Sequence, residues 1–85
     1  MDFGDAIKAL KEGKKLSRKG WNGKEQYIEL AENISYITPT GVLVNDGHAD
    51  IGNKAIAFVG TRGIQVGWLA SQADMLAEDW VIRED

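Results

Sequence analysis

The sequence contains no cysteine, one proline and one histidine in 85 residues. Without cysteine, neither disulfides nor a thiolate zinc site can staple the fold, and a reducing compartment suits the chain. Long apolar runs are missing too. No stretch approaches the roughly 20 residues that cross a bilayer, and MDFGDAIKALKEGKK carries acids where a secretory signal carries basic residues. A soluble, unexported protein with no membrane contact is expected. Basic residues are outnumbered, 10 Lys and Arg against 13 Asp and Glu, for a net charge of −3. A binder of nucleic-acid polymers would need a basic excess on one face, so any anion must be held by a few aimed groups.

The motifs of common catalytic sites are also absent. There is no cysteine nucleophile, Gly-x-Ser-x-Gly elbow or His-Glu-x-x-His pair. His48 lies between Asp46 and Asp50, but that spacing fits neither a helix face nor a strand face. It reads as a solvated loop, and neither a required metal nor a cofactor is expected. In "GTRG", turn amides and Arg62 offer a phosphate cradle, yet the glycine spacing matches no phosphate-loop fingerprint. A hairpin tip with a solvated arginine is the simpler reading.

A single domain spanning residues 1–85 follows from the length, and a chain this short buries only about 60 to 65% of its unfolded surface. A thin core without staples favours a homo-oligomer. Asp2 and Asp5 suit a helix start, and Phe3, Ile7 and Leu10, with Ala6 between, form an apolar stripe at helical spacing. Lys8, Lys11 and Glu12 face water and Gly13 ends the helix, which is predicted over about residues 2 to 12.

From Lys14 the period changes. Leu16 alternates with polar neighbours up to the tight turn RKGWNGK, where glycines bracketing Trp21 and Asn22 can lift the indole away from the core. Tyr27, Ile28 and Leu30 resume a strand. ISYITPTGVLV reads as a hairpin turning at Pro39 and Gly41, NDGHADIGNK as a loop, and AIAFVGTRGIQVGW as a strand pair turning at Thr61 and Arg62. Ser71 followed by Asp74 resembles a capping box with Asp in place of Glu. Ala73, Leu76, Ala77 and Trp80 lie at i, i+3, i+4 and i+7, which predicts a helical face that Trp80 closes inward. WVIRED leaves room for a closing strand. The expected class is α+β: a small antiparallel sheet with an N-terminal helix and a short C-terminal helix.

The tryptophans carry the functional signal. Trp80 reads as core, whereas Trp21 in a Gly-flanked polar turn and Trp68 at a strand–helix junction sit at element ends, where binding groups collect. Indole faces stack on nucleobases, and helix-start amides can hold an anion beside them. One reading is a pocket for a flat, polar, phosphorylated ligand; the other is two tryptophans at the boundary of the core.

FGDAIKALKEGKKLSRKGWNGK near the start and WLASQADMLAEDW near the end resemble the small phage proteins of the Thoeris anti-defence 2 family. The likeness covers essentially the whole chain, and its most specific part is W-x-x-S-Q-x-D-x-x-x-x-D-W, from Trp68 to Trp80. From about Ile34 to Gln65 no motif matches. The resemblance implies a homotetrameric sponge acting in the cytoplasm of the infected bacterium. Such a protein sequesters nucleotide immune signals, chiefly glycocyclic ADP-ribose isomers and in some members cyclic di- or trinucleotides, without cleaving them. It further implies that Trp21 and Trp68 stack on adenine or cover the ribose face, and that Asn22 and Lys24 meet base edge or phosphate. Ser71 and Gln72 would donate to phosphate or ribose oxygens. Asp74 would accept from ribose hydroxyls or the adenine amino group, and must point away if phosphate sits at the helix start. Met75, Leu76, Ala77 and Trp80 fall to the core or to subunit contacts. Two rivals compete: a protein-binding module anchored by the same tryptophans, and a small hydrolase of the same nucleotides.

Overall fold

The computed structural model describes residues 1–21, 25–44 and 54–84. Asp2 begins the first helix by accepting a hydrogen bond from the Asp5 amide at 2.8 Å, and α1 runs Phe3–Lys11. Gly13, at φ +88°, turns the chain out of the helix in a conformation that side-chain-bearing residues rarely adopt. The strands are β1 (Lys15–Arg18), β2 (Tyr27–Ala31), β3 (Tyr36–Ile37), β4 (Leu43–Val44), β5 (Ala55–Gly60), β6 (Gly63–Val66) and β7 (Trp80–Arg83), with α2 (Gln72–Leu76) before the last.

Five strands form one antiparallel sheet in the order β6-β5-β2-β1-β7, and β3 with β4 make a separate hairpin. Register explains the core. Gln65, Phe58, Ile28, Leu16 and Ile82 are successive cross-strand partners, so one row of side chains crosses the whole sheet on one face. Its middle members, Leu16 and Ile28, are fully buried under α1, whose Ala6, Ala9 and Leu10 are buried against them. The small alanines let the helix backbone approach the sheet closely. At the ends of the row the cover runs out: Phe58 is half-buried, Ile82 is 40% exposed and Gln65 is exposed.

The α+β class, the N-terminal helix, the two hairpins and the closing strand agree with the sequence reading. The C-terminal helix does not extend as expected. It ends at Leu76, and Ala77 already has extended backbone, with φ −71° and ψ 148°. Ala73 is exposed, Leu76 is 77% exposed and Met75 is 40% exposed, so the expected helical face does not exist. Trp80 is nevertheless in the core at 1% exposure, carried there by strand β7 and not by a helical stripe. Edge pairing on β1 won over propensity: Arg18 and Trp80 are register partners, and Trp80 N–H donates to Met1 O at 3.2 Å.

Candidate functional site

Trp80 anchors an aromatic cluster at one end of the sheet. Its ring lies 5.4 Å from Trp21, 5.5 Å from Phe3 and 6.2 Å from Trp68, the contacts with the two tryptophans being edge-on. Trp21 in turn meets Trp68 at 6.2 Å and Phe58 at 5.7 Å, also edge-on. These separations suit the ring quadrupoles and hold each indole in a defined orientation. Trp80 is buried, whereas Trp21, Trp68 and Phe58 are half-buried and present part of their surface to solvent. Trp21 is therefore not lifted away from the core, as its turn suggested; its ring packs into the cluster and is only partly exposed. Trp68 leaves β6 through Gly67, and both of their amides donate to Ile56 O, at 2.8 and 3.0 Å.

An ion cluster ties the two ends of the chain together beside these rings. Arg18 Nη1 donates to Asp74 Oδ1 and Arg18 Nε to Asp79 Oδ1, each at 2.8 Å, with the arginine side chain only 20% exposed. Asp79 Oδ2 also accepts from the Gly20 amide at 3.1 Å, which fixes the turn carrying Trp21. Asp74 serves several donors. Its carboxylate accepts from the Ser71 amide at 3.2 Å while Ser71 Oγ accepts from the Asp74 amide at 3.1 Å, so the expected capping box forms. Its backbone oxygen accepts from Trp80 Nε1 at 3.0 Å, and Trp21 Nε1 makes a long approach of 3.5 Å to Oδ1.

These contacts set the charge states. The Arg18 guanidinium is raised above its ordinary value by its hydrogen bonds to Asp79 and Asp74. Partial burial pushes Asp74 up, but hydrogen bonds from Arg18, Ser71 and Trp21 outweigh it and hold the carboxyl below the usual range. The hydrogen bond from Arg18 lowers Asp79, desolvation opposes it, and the Gly20 amide and the Arg18 charge add to the lowering. Depressed folded-state values mean that the stabilisation is fully present above the unfolded carboxylate pKa and is lost as pH falls through the folded values. Thermal unfolding is therefore expected to hold level from neutrality to about pH 5 and to decline below about pH 4. In an Asp74→Asn, Asp79→Asn variant this part of the acid decline should vanish. An acid limb identical to wild type would show that the cluster does not couple to folding.

The fold thus brings together five of the sequence-predicted site residues: Trp21, Trp68, Ser71, Gln72 and Asp74. Gln72, the first residue of α2, is exposed, and the Asp74 carboxylate is turned onto Arg18 and its own helix start. Asn22, Lys24 and the His48 loop with Asp46 and Asp50 lie outside the described residues. The reading from sequence missed Arg18, Phe58 and Asp79. Strand alternation contained the signal for Arg18: two residues after Leu16, it must point to the same side, and a cation there needs carboxylates.

A model of the Thoeris anti-defense 2-like domain, Tad2-like, matches residues 1–83. The chain belongs to the Tad2-like family. Among curated proteins, "Thoeris anti-defense 2" of Bacillus phage SP01 is 35% identical over 85 residues, covering 96% of this chain and 93% of that relative. The family is one of Thoeris anti-defence proteins, and the C-terminal motif that suggested it supplies most of the site. Trp68, Ser71, Asp74, Asp79 and Trp80 of that C-terminal stretch all enter the aromatic or ionic cluster. Among the described residues no group of three or more His, Cys, Asp or Glu side chains could hold a metal, and no helix is long and apolar enough to cross a membrane.

Proposed function

We propose that this Tad2-like protein inhibits Thoeris-type immunity as a sponge, binding glycocyclic ADP-ribose signals and keeping them intact. The observation that carries the reading is the pair of half-buried indoles, Trp21 and Trp68, with ring centroids 6.2 Å apart and clasped against a rigid core. A flat purine gains roughly 1 to 3 kcal/mol from each aromatic face it stacks on. Pre-orientation by Trp80 and Phe58 spares the ordering cost that a flexible surface would incur. Ser71 and Gln72 border the same end and supply hydroxyl and amide groups for ribose or base edges, and Asn22 and Lys24, which follow Trp21 in the chain, are assigned further polar contacts. In this reading Asp74 holds the site together, and its remaining acceptor capacity serves a ribose hydroxyl or the adenine amino group.

Sequestration is favoured over hydrolysis by the state of the neighbouring acids. General acid–base catalysis at neutral pH needs a group poised near that pH. Asp74 and Asp79 are instead held below the ordinary carboxylate range and tied to Arg18. No cofactor or metal takes part in the proposed activity, and its setting is the cytoplasm of the infected cell.

A sponge removes its ligand stoichiometrically, so it must bind more tightly than the immune effector does. Nanomolar affinity corresponds to about 12 kcal/mol, more than one small open face provides, and a site enclosed between subunits meets the demand. Exposed apolar side chains support association: Tyr36 at 58%, Ile37 at 68%, Ile64 at 63%, Val66 at 52% and Leu69 at 90% exposure. The expected assembly is a homotetramer, read by light scattering as about four times the monomer mass. A monodisperse monomer at micromolar concentration would contradict it. The function itself is tested by calorimetric titration with a glycocyclic ADP-ribose isomer. The expected result is saturable, tight binding at a fixed ratio; a flat titration at tens of micromolar protein would sink the proposal.

A further inference from the structure

Sequestration of a cyclic ADP-ribose leaves a question that the tryptophans do not answer: where the pyrophosphate goes. The start of α2 is poorly suited to it. The helix is five residues long, its capping box engages the Ser71 and Asp74 amides, and the Asp74 carboxylate stands there. Arg18 offers no help. Its guanidinium already meets two carboxylates, so the three groups together leave one net negative charge.

The surface beside Phe58 is different. There Phe58, in edge contact with Trp21, also forms a wall of an open groove of about 390 Å³, a size within the roughly 300 to 1,000 Å³ of small-molecule sites. The groove runs toward the β5–β6 turn, where Gly60 and Gly63 are cross-strand partners and leave the backbone uncovered. A Cβ at Gly60 would meet Phe58 Cε1 at 3.3 Å, so a side chain there would press on the groove wall. Gln26, Gln65 and Arg62 are among the residues that line the groove. No carboxylate lines it, and among the described residues Arg62 pairs with none. In a chain of net charge −3, this is a locally positive recess joined through one aromatic ring to the stacking site. The hairpin tip that looked like a bare turn in sequence therefore borders a cavity.

We infer that Arg62 reads the pyrophosphate of the sequestered nucleotide, which lies along the Phe58 groove with its base at Trp21 and Trp68. The guanidinium presents paired N–H donors that match phosphate oxygens, and the Gln26 and Gln65 amides supply uncharged donors beside it. The inference rests on the sponge reading and adds the direction in which the ligand lies and the residue that selects its charge.

The test compares wild type with Arg62→Gln and Arg62→Lys by calorimetry with a glycocyclic ADP-ribose isomer, at low and high salt. Arg62 is exposed at a turn, so both variants should melt with wild type. Arg62→Gln is expected to bind about tenfold more weakly and to lose part of the salt dependence, and Arg62→Lys to recover part of the affinity, since it keeps the charge but not the fork. Ligand-induced amide shifts in wild type should include Thr61, Arg62 and Gly63. Unchanged affinity in Arg62→Gln, or shifts confined to Ser71 and Gln72, would overturn the assignment and leave the sponge reading intact. Failure of wild type to bind would overturn both.

Discussion

Trp80→Ala is expected to unfold the domain or lower its melting temperature by more than about 12 °C. Trp80 is the largest fully buried side chain, and its ring touches Phe3, Trp21 and Trp68 at centroid distances of 5.4 to 6.2 Å. Truncation leaves a cavity that the short elements around it cannot close, because α1 is fixed by the sheet and β7 by its pairing with β1. Buried Trp→Ala changes cost roughly 3 to 5 kcal/mol, and a domain of this size has little more than that in reserve. The loss also strands Asp74 O, which accepts from Trp80 Nε1 at 3.0 Å. Trp80→Phe should be milder, since it keeps most of the volume and gives up the N–H. Circular dichroism and thermal melts read both variants. A Trp80→Ala protein melting within a few degrees of wild type would contradict the packing described here.

Trp68→Ala should fail in another way. Trp68 is half-buried, so part of its ring packs on Trp21 and Trp80 and part is open. Edge contacts of this kind contribute about 0.5 to 1.5 kcal/mol each beyond the area they bury, and the melting temperature should drop by less than in Trp80→Ala. Ligand affinity should fall by roughly 1 to 3 kcal/mol, the value of one stacked base, while the oligomeric state is unchanged. Measured together, unfolding and calorimetry separate the two tryptophans. If Trp68→Ala lost as much stability as Trp80→Ala while its folded fraction bound at full strength, the pocket would not lie at Trp68. Ser71→Ala is less decisive, because losing a cap costs about 1 kcal/mol whether or not a ligand is bound.

The contrast between these tryptophans was legible in the sequence, but the reason for it was not. Local signals carried the N-terminal helix, the turns at Pro39 and Gly41 and at Thr61 and Arg62, and the capping box at Ser71, because each depends on residues within a few positions of one another. Trp80 was placed in the core through a helical repeat that the chain abandons at Leu76. Its burial comes from pairing with β1, more than sixty residues away, and no local period encodes that register. The same distance hid the Arg18 cluster: the arginine is in β1 and both of its carboxylates are in the C-terminal motif. Asp74 reads locally as a helix cap and is one; its second role exists only once the strands are paired. Phe58 and Arg62 fall in the stretch where no family motif was matched, so the groove they border emerged only from the fold.

As a sponge, the protein is proposed to hold its ligand without altering it. The direct measurement is to incubate the protein with a glycocyclic ADP-ribose isomer, remove unbound nucleotide, denature the complex by heat and identify what is released by chromatography and mass spectrometry. The sponge account predicts unaltered ligand in stoichiometric amount, with the protein-depleted solution no longer able to activate the immune effector. Release of a linear or cleaved nucleotide would identify an enzyme instead, and recovery of no nucleotide would contradict the account altogether.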